Sequence, residues 1–139
     1  MKVPSIHEDD VAGVDLPGRN LRWLVNSEIL GANHMSVCLI KVPPGEKVRP
    51  AHSHPNGEES IYIISGTGRV LVNGEVSPVK PGTIVLFPQG QVHMLHNTGS
   101  TEMKVICFFA PATNLDNYRL FENVDFPDAA ANGKSETLV

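Results

Sequence analysis

The chain has 139 residues, 41% of them hydrophobic and 19% charged, with a formal net charge of -4. That length favours one domain with a core of its own, and the composition is neither collagen-like nor broadly disordered. The acidic balance, without any basic run, argues against nucleic acid or an anionic membrane surface as a partner, and no apolar stretch is long enough to span a bilayer.

Residues 1–18 are polar and carry Pro4, Gly13, Pro17 and Gly18, so they are expected to form a lead-in arm. The opening MKVPSIHEDD lacks the apolar core of a secretory signal. Cys38 and Cys107 are far apart and form no C-x-x-C pair. These features predict a cytoplasmic protein with reduced thiols, a single disulfide being the alternative. Leu21, Trp23 and Val25 predict a first strand by alternation. HMSVCLIKV (34–42) predicts a second, ended by Pro43, Pro44 and Gly45. SIYIIS (60–65) and GRVLVN (68–73) are divided at Gly66, and Asn73–Gly74 is a hairpin signal that returns the chain through EVSPV (75–79). Pro81–Gly82 turns into TIVLF (83–87), and QVHML (91–95) and EMKVICFFA (102–110) follow. Turn residues recur about every ten positions, the spacing of an all-β sandwich or barrel. NLDNYRLF, near 114–121, predicts a short helical segment, and from Glu122 onward a polar tail is expected to be partly disordered. The expected organisation is therefore an arm over 1–18, a barrel over 19–113, and a helical turn with its tail over 114–139.

Two stretches carry chemistry. In AHSHPNGEES (51–60), His52 and His54 are two apart and share one face of an extended strand, about 6.6 Å from each other along the backbone. Pro55, Asn56 and Gly57 turn the chain, and Glu58 and Glu59 open the next strand. Alternation lets only one of these carboxylates face inward; if it is Glu59, Ile61 and Ile63 face inward with it. In GTIVLFPQGQVHMLHN (82–97), His93 follows a turn at Pro88 and Gly90, and His96 falls on the opposite face from His93. Three imidazoles and one carboxylate suit iron, manganese, nickel, cobalt or zinc. Four protein ligands leave positions open on an octahedral ion, the arrangement of a catalytic rather than a structural site.

These residues resemble the paired motifs of the cupin superfamily. Gly45, His52, His54, Glu59 and Gly66 match the first motif, with one extra residue between Gly45 and His52, in the turn around Pro50. Gly82, Pro88, Gly90, His93 and Asn97 match the second without departure. The resemblance covers roughly residues 34–110 and implies a small single-domain cupin, an all-β antiparallel jelly-roll barrel. It implies a divalent transition metal (Fe, Mn, Ni or Zn) held by His52, His54, Glu59 and His93, with Asn97 a turn residue. It also implies a homodimer, formed by sheet packing or by exchange of N-terminal strands.

Each reading has a plainer counterpart. Glu58 is expected to be a solvated carboxylate, and His96 a surface histidine; the alternative is that either supports the ligands from behind, with His96 as a general base. His7 and His34 belong to no motif. Cys38 and Cys107 are expected to be buried, inert thiols, although Cys107 has the parity to line a cavity. Trp23, Tyr62, Phe108 and Phe109 are expected in core or interface, and Arg22, Arg49 and Arg69 as solvated cations. Three functions follow: a metal-dependent enzyme acting on a small molecule, a small-molecule-binding or sensing module, and a scaffold. The intact ligand set favours the enzyme. Dioxygenase-like oxidation with iron leads narrowly over decarboxylase, isomerase and lyase chemistry.

Overall fold

Alternating burial builds the strands. In β10 (Met103–Ala110), Met103, Val105, Cys107 and Phe109 are buried, whereas Lys104, Ile106, Phe108 and Ala110 are not. In β5 (Glu58–Ser65), Glu59, Ile61 and Ile63 point inward, and Tyr62 and Ile64 point outward. The computed structural model describes residues 2–128. Among them are β1 (Val14–Leu16), β2 (Arg19–Val25), β3 (Ser36–Val42), β4 (Ala51–Ser53), β5, β6 (Gly68–Val72), β7 (Glu75–Val79), β8 (Ile84–Phe87), β9 (His93–Asn97), β10 and β11 (Arg119–Phe121).

These strands form two antiparallel sheets, ordered β1-β2-β3-β10-β5-β8 and β11-β4-β9-β6-β7. Chain neighbours such as β3 and β4, or β8 and β9, lie in different sheets, so the chain crosses repeatedly between layers as a jelly roll requires. Ile61, Ile63, Val42, Val70, Met103 and Val105 fill the space between the sheets. Each large aliphatic buried there stabilises the fold by about 1.5–3 kcal/mol. No helix among the described residues is long and apolar enough to cross a membrane.

Two motif residues that carry no metal chemistry hold the corners. Gly66 sits at φ 87°, and a Cβ there would lie 2.7 Å from the Met103 Cα, so both the turn and the close passage of β10 require glycine. Asn97 is fully buried at the end of β9. Its Nδ2 donates to the carbonyls of Val42 (2.9 Å) and Thr101 (2.8 Å), and its Oδ1 accepts from the Gly99 N–H (2.9 Å). This amide ties the turn after β9 to β3 and satisfies backbone groups that water cannot reach.

The ends of the chain differ from the sequence reading. Within the expected arm, Val14–Leu16 pairs back onto β2, and the Lys104 ammonium donates to Glu8 at 2.6 Å. The short helix expected over 114–121 is not formed. Asn114 Oδ1 accepts from the Asp116 N–H and closes a single 3₁₀ turn, Leu115–Asn117. Arg119–Phe121 then pairs with Ala51–Ser53. β4 is only three residues long and needs partners for its backbone, and this tertiary pairing overrides local helical preference. The start of the expected tail packs down: Phe126 is fully buried against Ala51, Leu71 and Met94, and the Lys47 ammonium meets Asp125 at 2.9 Å. Residues 129–139, the rest of that tail, lie outside the described residues.

Candidate metal centre

The four residues singled out by spacing come from three strands and the turn after β4, and they converge. His52 lies on β4, directly opposite His93 on β9. His54 follows β4, and its carbonyl accepts from Gly90 N–H at 3.0 Å, which joins the two motif turns. Glu59 enters from β5. One donor atom from each of His52, His54, Glu59 and His93 lies within 4.8 Å of all the others, and all four side chains are buried.

Backbone carbonyls orient two of the rings. His52 Nδ1 is 3.2 Å from the Pro50 carbonyl, and His93 Nδ1 is 3.2 Å from that of Gln91. A carbonyl only accepts, so each Nδ1 carries a proton, which in the neutral ring leaves Nε2 with the lone pair a metal needs. Aromatic rings wedge all three imidazoles. Tyr118 stacks on His52 at 4.7 Å, Phe87 stacks on His93 at 3.9 Å, and Phe109 meets His54 edge-on at 5.2 Å.

The electrostatics hold two of the donors, His52 and Glu59, in ligating form. Burial, reinforced by neighbouring His93, lowers the His52 pKa to about 3, so its imidazole is neutral in ordinary buffers. Burial pushes the Glu59 carboxyl upward, but hydrogen bonding by His54, at 2.9 Å, and the approach of His93 outweigh it and bring the pKa to about 2. His54 Nδ1 and His93 Nε2 are buried without a hydrogen-bond partner among the described residues. Such orphaned atoms cost stability unless something satisfies them. Three buried imidazoles, His52 neutral, an ionised Glu59 carboxylate and a His93 Nε2 that lies 3.2 Å from Glu59 Oε1 together fit a divalent transition metal.

A small cavity of about 30 Å³ adjoins the cluster, lined also by Arg19, Cys38, Cys107 and Tyr118. Cys38 and Cys107 stand opposite each other across β3 and β10, as free, buried thiols. Cys38, together with burial, holds the Cys107 thiol well above its usual range, so it stays protonated. Burial likewise holds the Tyr118 phenol protonated.

The remaining candidates lie elsewhere. Glu58 is exposed at the start of β5. His96 faces away from the cluster and accepts a hydrogen bond from Arg69 Nε at 3.0 Å beside the Phe126 ring. His7 and His34 are exposed. Arg22, Arg49 and Arg69 are engaged outside the cavity by Glu8, Glu46 and Asp128. Sequence reasoning missed Arg19, Phe87 and Tyr118. Arg19 shares inward parity with Leu21 and Trp23, a signal available in the sequence; Tyr118 was hidden by the helical reading of its segment.

Comparison with known proteins agrees with this geometry. The family model described as "Cupin domain" matches residues 38–109, more than half of the chain. L-ectoine synthase of Hahella chejuensis is 40% identical over 97 residues, covering 68% of each chain. The "Oxalate-binding protein" of Thermotoga maritima is 34% identical over 83 residues, 60% of this chain and 68% of that one. Among solved structures, the polyketide cyclase RemF from Streptomyces resistomycificus superposes with a TM-score of 0.72 at 22% identity, covering 94% of each chain. With both motifs in place on a two-sheet barrel, the chain belongs to the cupin family.

Proposed function

We propose that this cupin is a metal-dependent enzyme acting on a small organic molecule, with His52, His54, Glu59 and His93 as the metal ligands. The observation that carries this reading is the convergence of four buried donors within 4.8 Å, beside a cavity. A bound divalent ion supplies Lewis acidity, polarising a carbonyl or carboxylate oxygen. The protein positions the donors, excludes water with Phe87, Phe109 and Tyr118, and keeps the Tyr118 hydroxyl protonated as a donor. A redox-neutral reaction fits best. Cys38 and Cys107 form an oxidisable part of the cavity wall, and the activity named for the 40%-identical relative is that of a synthase. Iron-dependent oxygenation is the competing chemistry.

Metal-loaded and chelator-treated protein should be incubated with carbonyl and carboxylate compounds, in air and under argon. Turnover that needs metal and survives argon is expected; turnover lost under argon would indicate oxygenation. Tight binding without product favours a second reading, a small-molecule-binding module, supported by the name of the Thermotoga relative.

We infer, further, that the chain forms a homodimer through the outer face of the six-stranded sheet. Ile84, Leu86, Tyr62, Ile64 and Phe108 are 64%, 53%, 40%, 42% and 41% exposed on adjacent strands. An apolar patch of this kind marks an interaction surface. Because β1 pairs within its own chain, sheet packing is favoured over strand exchange. Replacing Ile84 and Leu86 with lysine should turn a sedimenting dimer into a monomer; an unchanged dimer rejects this face. The reduced thiols support a cytoplasmic location.

A further inference from the structure

We propose that Arg19 forms a carboxylate-binding subsite at the mouth of the metal cavity, so that the substrate is a small organic acid. Arg19 opens β2 and points inward with Leu21; both line the cavity that holds His52, Glu59 and His93. Its two hydrogen bonds, to the carbonyls of Pro17 and Arg49 at 3.2 Å each, are both made by Nη1. They fix the guanidinium and leave Nε and Nη2 as donors. Among the described residues Arg19 has no ion-pair partner, whereas Arg22, Arg49 and Arg69 each have one. A partly buried, unpaired guanidinium is costly. Burial depresses its pKa, and the ionised Glu59 carboxylate of the cavity wall acts against this. A planar guanidinium matches a carboxylate through charge-assisted hydrogen bonds.

The position of Arg19 also indicates how the ligand lies. Arg19, His52 and Tyr118 line both the inner cavity and an outer groove of about 260 Å³. Leu16, Pro17, Pro50, Leu115 and Leu120 make most of the rest of that groove apolar, and Arg49, which also lines it, is paired with Glu46. The inner cavity, about 30 Å³, has room for a small polar head and no more. The carboxylate therefore sits at the junction, with an apolar body outside, under the turn that carries Tyr118.

This inference names a substrate class for the proposed metal site and rests on that reading, but the two can fail separately. Binding of hexanoate and of its uncharged analogue hexanamide should be measured calorimetrically on wild type, Arg19→Gln and Arg19→Lys. Each protein is studied metal-free and metal-loaded, with metal content measured alongside. Wild type should prefer hexanoate by about tenfold or more even without metal. Arg19→Gln should abolish the preference and Arg19→Lys retain part of it, with metal content unchanged in both. Equal affinity for acid and amide in wild type, or an undiminished preference in Arg19→Gln, overturns the subsite. Wild-type protein that takes up no metal overturns the enzyme reading and leaves the Arg19 result to be judged on the metal-free data. A lost preference in Arg19→Lys together with altered melting overturns the subsite in favour of a purely structural Arg19.

Discussion

Replacing His52 with glutamine should make the metal-free protein less acid-labile. In the unfolded chain this imidazole takes up a proton near its ordinary pKa of 6.5, whereas in the fold it does so only near 3. Between these values the unfolded state holds the extra proton, so stability rises with pH and is lost as pH falls. The slope is about 1.4 kcal/mol per pH unit for one proton. Glu59 acts in the same direction, but only below its ordinary 4.5, since its folded carboxyl titrates near 2. The window from pH 6.5 to 4.5 therefore separates the two groups. Across it, His52 accounts for a loss of about 2 kcal/mol. Urea unfolding of chelator-treated protein through this window measures the slope directly. His52→Gln should flatten it by close to one proton. An identical slope in wild type and variant would refute the claim that the fold holds His52 neutral.

Two other substitutions probe the same architecture. Glu59→Gln should weaken metal uptake far more than Glu58→Gln, because Glu59 faces the three imidazoles while Glu58 is exposed; a competitive chelator titration ranks them, and the reverse order places the carboxylate ligand wrongly. Phe126→Ala should cost about 3–5 kcal/mol in urea unfolding, the range for losing a fully buried phenylalanine. Its ring is covered by Arg69 at 4.2 Å and packs beside β4, so looser metal retention should accompany the loss; a cost under about 1 kcal/mol would mean the tail is not held there.

The convergence of His52, His54, Glu59 and His93 was legible in the sequence. His52 and His54 share a face by strand parity, and the resemblance to the cupin motif, through its spacing to Gly66, implies Glu59 rather than Glu58. Parity also put Ile61 and Ile63 on one face with Glu59 and His96 on the face opposite His93, and left Cys107 able to line a cavity. What escaped was set by pairing between distant segments. Residues 119–121 become a strand only because β4, some 70 residues earlier, offers an edge. With that strand came Tyr118, which stacks on His52, and Phe126, which reads as part of a polar tail until its pocket under Arg69 is seen. Arg19 was passed over for a different reason. Its inward parity was readable, but a charged residue at the start of a strand is ordinarily solvated, and only the barrel shows that it lines the cavity beside His52, Glu59 and His93.

The most direct test of the account is the metal content of untagged, purified protein by elemental analysis, repeated for His52→Ala and His93→Ala. The account predicts close to one iron, manganese, nickel or zinc per folded wild-type chain, and a strong reduction in both variants while the barrel remains folded. A wild-type protein that carries none of these ions and takes none up, or variants that retain the full complement, would contradict it.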